Sequence, residues 1–267
     1  MGSSRRSFVL VAACAVALAA AGRWHPVGAT AIDSAQISVR SSDHAARSTE
    51  PIRYEDAALT LLASYPIAHG DPVDDAKLTA RDRAVWAIVV ATLPEQGRDT
   101  IRQLNVVSDG VNGTLAMVHR STVDSSTWVL SIDPAESREV LVSTLVHEYG
   151  HMLTLRSEDL KSAAASRDSC KGVRIEIGCA SAGSALAAWH DEFWANTAEP
   201  TPPDAKRFVS DYAASSVHED LAESFMAWTL NQVRHPTPAI SERFAFFAAR
   251  PEFVQARDEI TAKLNRP

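Results

Sequence analysis

The sequence predicts an α+β fold, with a small N-terminal sheet lobe followed by a mostly helical C-terminal lobe. Two observations carry this. Three short runs rich in β-branched and apolar residues, "IRQLNVV", "GTLAMVHR" and "TWVLSI", fall between residues 101 and 132. From residue 134 onward, apolar residues recur mainly at helical spacing. The chain has 267 residues, of which 46% are hydrophobic and 22% charged. That is enough for one sizeable core and is not a disordered composition.

The N-terminus differs from the rest. Arg5 and Arg6 precede the uncharged run "SFVLVAACAVALAAA", and small residues then offer cleavage after Ala21 or Ala31. This pattern predicts an export signal over residues 1–31, too short in its apolar part for the roughly 20 residues of a membrane span. "SRRSFVL" resembles a twin-arginine signal, but paired arginines also occur in ordinary signals, so both export routes stay open. Cleavage removes Arg5, Arg6 and Arg23 and no acid, leaving the mature chain three charges more negative than the full chain's −7. An acidic chain without a basic run argues against nucleic acid and anionic membrane surfaces as partners. No span is expected in the mature chain, which is taken as a monomer. Cleavage also removes Cys14, so Cys170 and Cys179 are expected to pair as a disulfide in an oxidising compartment.

Residues 32–50 are rich in Ser, Arg and Asp without apolar periodicity and read as a flexible lead or pro-segment. The folded domain, 51–267, is expected to start near Pro51. "KLTARDRAVWAIVVATL", from Lys77 to about Leu93, has helical spacing, and the three strand runs follow. Next, Asp133 is placed to cap, Pro134 suits a first helical position, and Glu136 stands three after the cap. This predicts a helix from Pro134 to about Leu155. Further helices are expected over "AGSALAAWHDEFWAN", "PDAKRFVSDYAA", "HEDLAESFMAWTLNQV" and "AISERFAFFAA", and from about Pro251 to the end.

The predicted helix from Pro134 contains "VHEYGHMLTL". Residues four apart share a helix face, so His147 and His151 are placed to offer two imidazoles to one ion. Glu148, rotated by about 100°, stands beside them as a candidate proton acceptor. Ser143, Gly150 and Thr154 are small and share the histidine face, which leaves room for metal and substrate. Leu141, Leu145, Tyr149 and Met152 form an apolar stripe. A catalytic zinc site normally has a third protein ligand. Six residues after His151 stands Ser157, so the pattern with a third histidine there is excluded. The remaining candidates are "WHDEFW", with His190, Asp191 and Glu192, and "HEDLAES", with His218, Glu219, Asp220 and Glu223.

"HEYGH" followed downstream by "EDLAESF" resembles the glutamate-zincin metallopeptidases, in particular the group of anthrax lethal factor and the clostridial Pro-Pro endopeptidases. The resemblance covers about residues 125–232. It implies a zincin-like catalytic domain with one zinc per chain, held by His147, His151 and Glu219. It also implies that Glu223 orients a histidine ligand and that Tyr212, seven residues before Glu219, assists catalysis. The chain departs from the family in the long stretch between His151 and Glu219, which contains both cysteines.

Each site residue also has a plainer reading. Ser216 and Glu219 fit a capping box, Glu223 a solvated face, and Tyr212 an ordinary amphipathic-helix tyrosine. His218 points away from Glu219 on a helix, and His190 and Glu192 fit a surface beside Trp189, Phe193 and Trp194.

The function expected is an exported zinc endopeptidase acting on protein or peptide substrates, with Glu148 as general base. "TWVLSI" is expected to be the sheet edge along which an extended peptide pairs. The alternatives are an exported binding or adhesion protein whose zinc is structural or absent, and a hydrolase acting on another bond.

Overall fold

The computed structural model describes residues 59–108, 115–162, 170–175 and 177–266. The expected signal and lead segments lie outside the described residues. The first lobe is built from strands β1 (Thr60–Ala68), β2 (Asp71–Pro72), β3 (Ile101–Ser108), β4 (Ala116–Arg120) and β5 (Trp128–Ile132). Helices α1 (Ala80–Thr92), α2 (Glu95–Arg98) and α3 (Arg138–Thr154) belong to the same lobe. The sheet order is β2-β1-β3-β5-β4. β3 and β5 run parallel, and every other pair is antiparallel.

A second sheet follows α3, with β6 (Leu160–Ser162), β8 (Gly178–Ala180) and β7 (Val173–Ile175) in that order. The Cys170–Cys179 disulfide spans its β7–β8 end, with Cα atoms 5.7 Å apart. The remainder is helical: α4 (Ala185–Phe193), α5 (Val217–Thr229), α6 (Pro238–Ala248) and α7 (Pro251–Leu264). The α+β class and its order, sheet lobe before helical lobe, are those the sequence predicts. Among the described residues no helix is long and apolar enough to cross a membrane.

Three elements differ from expectation. α3 starts at Ser137, whose hydroxyl accepts the Val140 N–H, and not at Asp133. Asp133 instead accepts the Ala135 N–H, closing a turn two residues on, which competes with a helix start. Residues 203–214 form turns and a short 3-10 segment, Tyr212–Ala214, in place of a helix. "TWVLSI" is not an edge: β5 lies between β3 and β4, and β4 is the outer strand. The run of β-branched residues reports a buried strand but not which neighbours it has.

One sheet face, through Leu104, Val106, Val118, Leu130 and Ile132, joins the main core with α1 and α3. α3 and α5 are buried nearly all round in their second halves and whole length respectively, so neither shows the single stripe of a surface helix. They meet closely at Gly150, where an added Cβ would lie 3.2 Å from the Ala222 backbone. The helical lobe closes over stacked and edge-on aromatic rings, Trp189, Phe225, Trp228, Phe246, Phe247 and Phe253.

Asp220 anchors this lobe from inside. It accepts from the indoles of Trp189 (3.1 Å) and Trp194 (2.8 Å) and from the Arg243 guanidinium (3.0 Å).

Candidate metal centre

His147 and His151 stand one turn apart on α3, and their Nε2 atoms converge to 2.9 Å. The facing element is the first turn of α5. Ser216 caps it by accepting the Glu219 N–H at 3.3 Å, which is half of a capping box. The Glu219 carboxylate does not return to the cap. Its Oε2 lies 3.1 Å from His147 Nε2 and 3.3 Å from His151 Nε2. The cap and the third donor are therefore compatible, because backbone and carboxylate of one residue serve different partners.

These three atoms form a buried group able to hold a metal ion. A tetrahedral ion with bonds of about 2.0–2.1 Å needs donor atoms roughly 3.3 Å apart, close to the separations found. Glu219 Oε2 is a buried carboxylate oxygen that faces the two imidazole Nε2 atoms, an arrangement that a shared cation would satisfy. The donor set fits a metal.

Glu223, one turn after Glu219, is buried and accepts from His147 Nδ1 at 2.8 Å. That contact fixes a proton on Nδ1 and turns Nε2 toward the site, where an ion would take the place of the second proton that the neighbouring carboxylates favour. A solvated face is ruled out for Glu223. The opposite carboxylate oxygen accepts from the Ser210 hydroxyl at 2.5 Å.

The electrostatics follow from burial. Burial pulls the His147 pKa down, but the carboxylates of Glu219 and Glu223 outweigh it and hold the value at about 10. Burial works against the Glu219 charge, yet His151, His147 and His218 hold its pKa well below the usual carboxylate range. His151 is pushed down, chiefly by burial.

Glu148 is fully buried beside the pair. Its Oε2 accepts the Val118 N–H of β4 at 2.9 Å, while Oε1 has no hydrogen-bond partner among the described residues. Burial, with the nearby Glu219 and Glu223 charges, raises its pKa well above the usual carboxylate value. Val118 N–H points away from β5: at the two ends of this antiparallel pair Leu115 accepts from the Asp133 N–H and Ser121 donates to the Thr127 carbonyl, so the odd-numbered positions of β4 are the ones that bond across.

Tyr212 sits half-buried in its 3-10 turn, with its ring centroid 6.1 Å from that of His147. His218 is buried, 5.8 Å from the His151 ring, with Ser216 Oγ 3.0 Å from its Nδ1. Burial pushes its pKa down to about 4. The structure thus brings His218 to the rim of the site. His190 pairs with its exposed neighbour Asp191 and, like Glu192, lies apart from the metal group.

The small residues of α3 make specific contacts. Gly150 admits α5, Thr154 Oγ1 donates to the Gly150 carbonyl, and Ser143 accepts from Gln232. Gly150 and Ser143 thus meet the α5 side of the molecule, while the Thr154 bond stays within α3. Ser210, the Val118 N–H and the Asp220 anchor went unseen in the sequence. Only Asp220 had a legible signal, as an acid among aromatic residues directly after Glu219.

Fold and site together define the class: an α+β protein with a buried two-histidine, one-carboxylate group able to hold a metal ion. No protein-family model, curated protein or solved structure matches the chain.

Proposed function

We propose that the chain is an exported zinc-dependent endopeptidase of the glutamate-zincin type. The observation that carries this reading is the convergence of His147, His151 and Glu219 with a buried carboxylate, Glu148, beside them. Two imidazoles and one carboxylate, leaving a position open, are the donor set of hydrolytic zinc sites. Bound there, zinc supplies Lewis acidity toward water and a peptide carbonyl.

The chain's own residues supply the rest. Glu148 takes a proton from the attacking water and returns it to the leaving amine, a role open to its Oε1, which has no hydrogen-bond partner among the described residues. Tyr212 donates its hydroxyl to the oxyanion that develops on the carbonyl, a contribution of about 3 kcal/mol for such donors. Glu223 holds the His147 ring in its donor orientation. Apart from the Val118 N–H, which Glu148 takes, the outward side of β4 is the strand edge along which an extended peptide pairs, in place of the β5 run. The Cys170–Cys179 disulfide supports export to an oxidising compartment.

The deciding experiment is the zinc content of the purified mature chain after gel filtration in metal-free buffer, followed by a peptide library screen. One zinc per chain with cleavage that chelation abolishes is expected. A folded chain that rebinds no zinc sinks the reading and favours a binding or adhesion protein.

A further inference from the structure

The Ser210 hydroxyl does two things at once. It donates to Glu223 Oε2 at 2.5 Å, because a carboxylate only accepts, and it accepts the Ala213 N–H at 3.1 Å. Glu223 Oε1 in turn accepts from His147 Nδ1 at 2.8 Å. A continuous chain of hydrogen bonds therefore runs from the Ala213 backbone through Ser210 and Glu223 to His147. Tyr212 lies inside the loop that this chain closes, between Ser210 and Ala213.

Glu223 is 1% exposed, so each of its oxygens depends on a protein donor. Charge-assisted bonds to a buried carboxylate are short and strong, and a carboxylate held at both oxygens cannot rotate. The ring it holds cannot rotate either. The same serine also ties down the backbone of the tyrosine turn, so displacement of the turn and reorientation of the imidazole share one atom, Ser210 Oγ.

We propose that Ser210 is a positioning residue that locks Glu223 against His147 and couples the turn carrying Tyr212 to the metal centre. Its effect on metal rests on the zinc reading above, whereas its hold on the turn does not.

The test compares the full chain with Ser210→Ala and with the isosteric pair Ser210→Thr and Ser210→Val, which differ only in the hydroxyl. Two readouts are made besides hydrolysis. Zinc affinity is measured by chelator competition, and backbone amide exchange across residues 210–215 is measured in metal-free protein. Ser210→Ala and Ser210→Val are expected to weaken zinc about tenfold or more, the scale for partners that orient ligands, while Ser210→Thr keeps wild-type affinity. The Ala213 amide is expected to exchange about tenfold faster in Ala and Val, but not in Thr, because a closed local contact has been opened. Equal behaviour of Thr and Val in both readouts overturns the proposal. Exchange that follows the hydroxyl while zinc affinity does not overturns the link through His147. A chain that shows both dependences yet cleaves no peptide refutes the peptidase reading and leaves this coupling standing.

Discussion

His147 and Glu223 meet across two helices, Nδ1 to Oε1 at 2.8 Å, with both side chains removed from solvent. The contact sets the imidazole tautomer and binds α3 to α5 at the level of the candidate ligands. Glu223→Gln keeps the shape but offers an uncharged acceptor. It is expected to weaken zinc by about 10- to 100-fold in chelator competition. Wild-type affinity would remove Glu223 from the site.

Glu148→Gln preserves an acceptor for the Val118 N–H, so folding and metal uptake should persist. Hydrolysis should fall by at least about 10²- to 10⁴-fold, the contribution of a general base. Zinc content and peptide cleavage measured on the same sample decide it, and retained turnover assigns the proton transfer elsewhere.

Tyr212→Phe removes one hydroxyl from a half-buried ring near His147. The expected result is a loss of about 10²- to 10³-fold in kcat with zinc content unchanged. An undiminished kcat would return Tyr212 to an ordinary packing role.

Arg243→Met tests the anchor behind the ligand helix. Arg243 and Asp220 are both buried and paired, and Asp220 directly follows Glu219. Breaking a buried pair from one side strands the other charge and is expected to cost about 3–5 kcal/mol in urea unfolding. Adding Asp220→Asn should recover part of this loss. A single variant as stable as wild type would show that the two indoles suffice for Asp220.

A pH dependence is expected far from the metal group, at the buried Tyr65–Asp82 bond of 2.7 Å. Burial first, and then Asp82, raise the Tyr65 pKa to about 12. A pKa raised on folding adds stability that is complete below the unfolded value of 10.0 and disappears as pH climbs through about 12. Burial works against the Asp82 charge, but the Tyr65 hydroxyl, Thr79 and Arg81 outweigh it and lower its pKa below 3.8. That contribution is present above the unfolded value and is lost as pH falls through the folded one. The stability gap between wild type and Tyr65→Phe, from urea unfolding, should therefore be widest near neutrality and shrink at both extremes. A gap constant with pH would dissociate the bond from both titrations.

Much of the local structure was legible because it depends on neighbours in the chain. Periodicity marks α1, α5, α6 and α7, and β-branched runs mark β3, β4 and β5. β1 was missed: Pro66 and a bulge between Leu61 and Ala63 break its alternation. The 203–214 segment has helix-forming residues but adopts turns, two of its residues, Ser210 and Ala213, being bonded into the Glu223 network. Local preference loses there to a tertiary contact.

By itself the sequence determined that His147 and His151 share a helix face with Glu148 between them, because a spacing of four residues is a property of the helix alone. It also narrowed the third donor to two acidic clusters. The resemblance pointed to Glu219, and the tertiary structure shows how it arrives: it comes to the histidines where Gly150 lets α5 approach α3. The same packing made β4 the edge, gave Glu148 the Val118 N–H and set Ser210 against Glu223. Such contacts join residues far apart in the chain, and no local periodicity encodes which distant surfaces will meet.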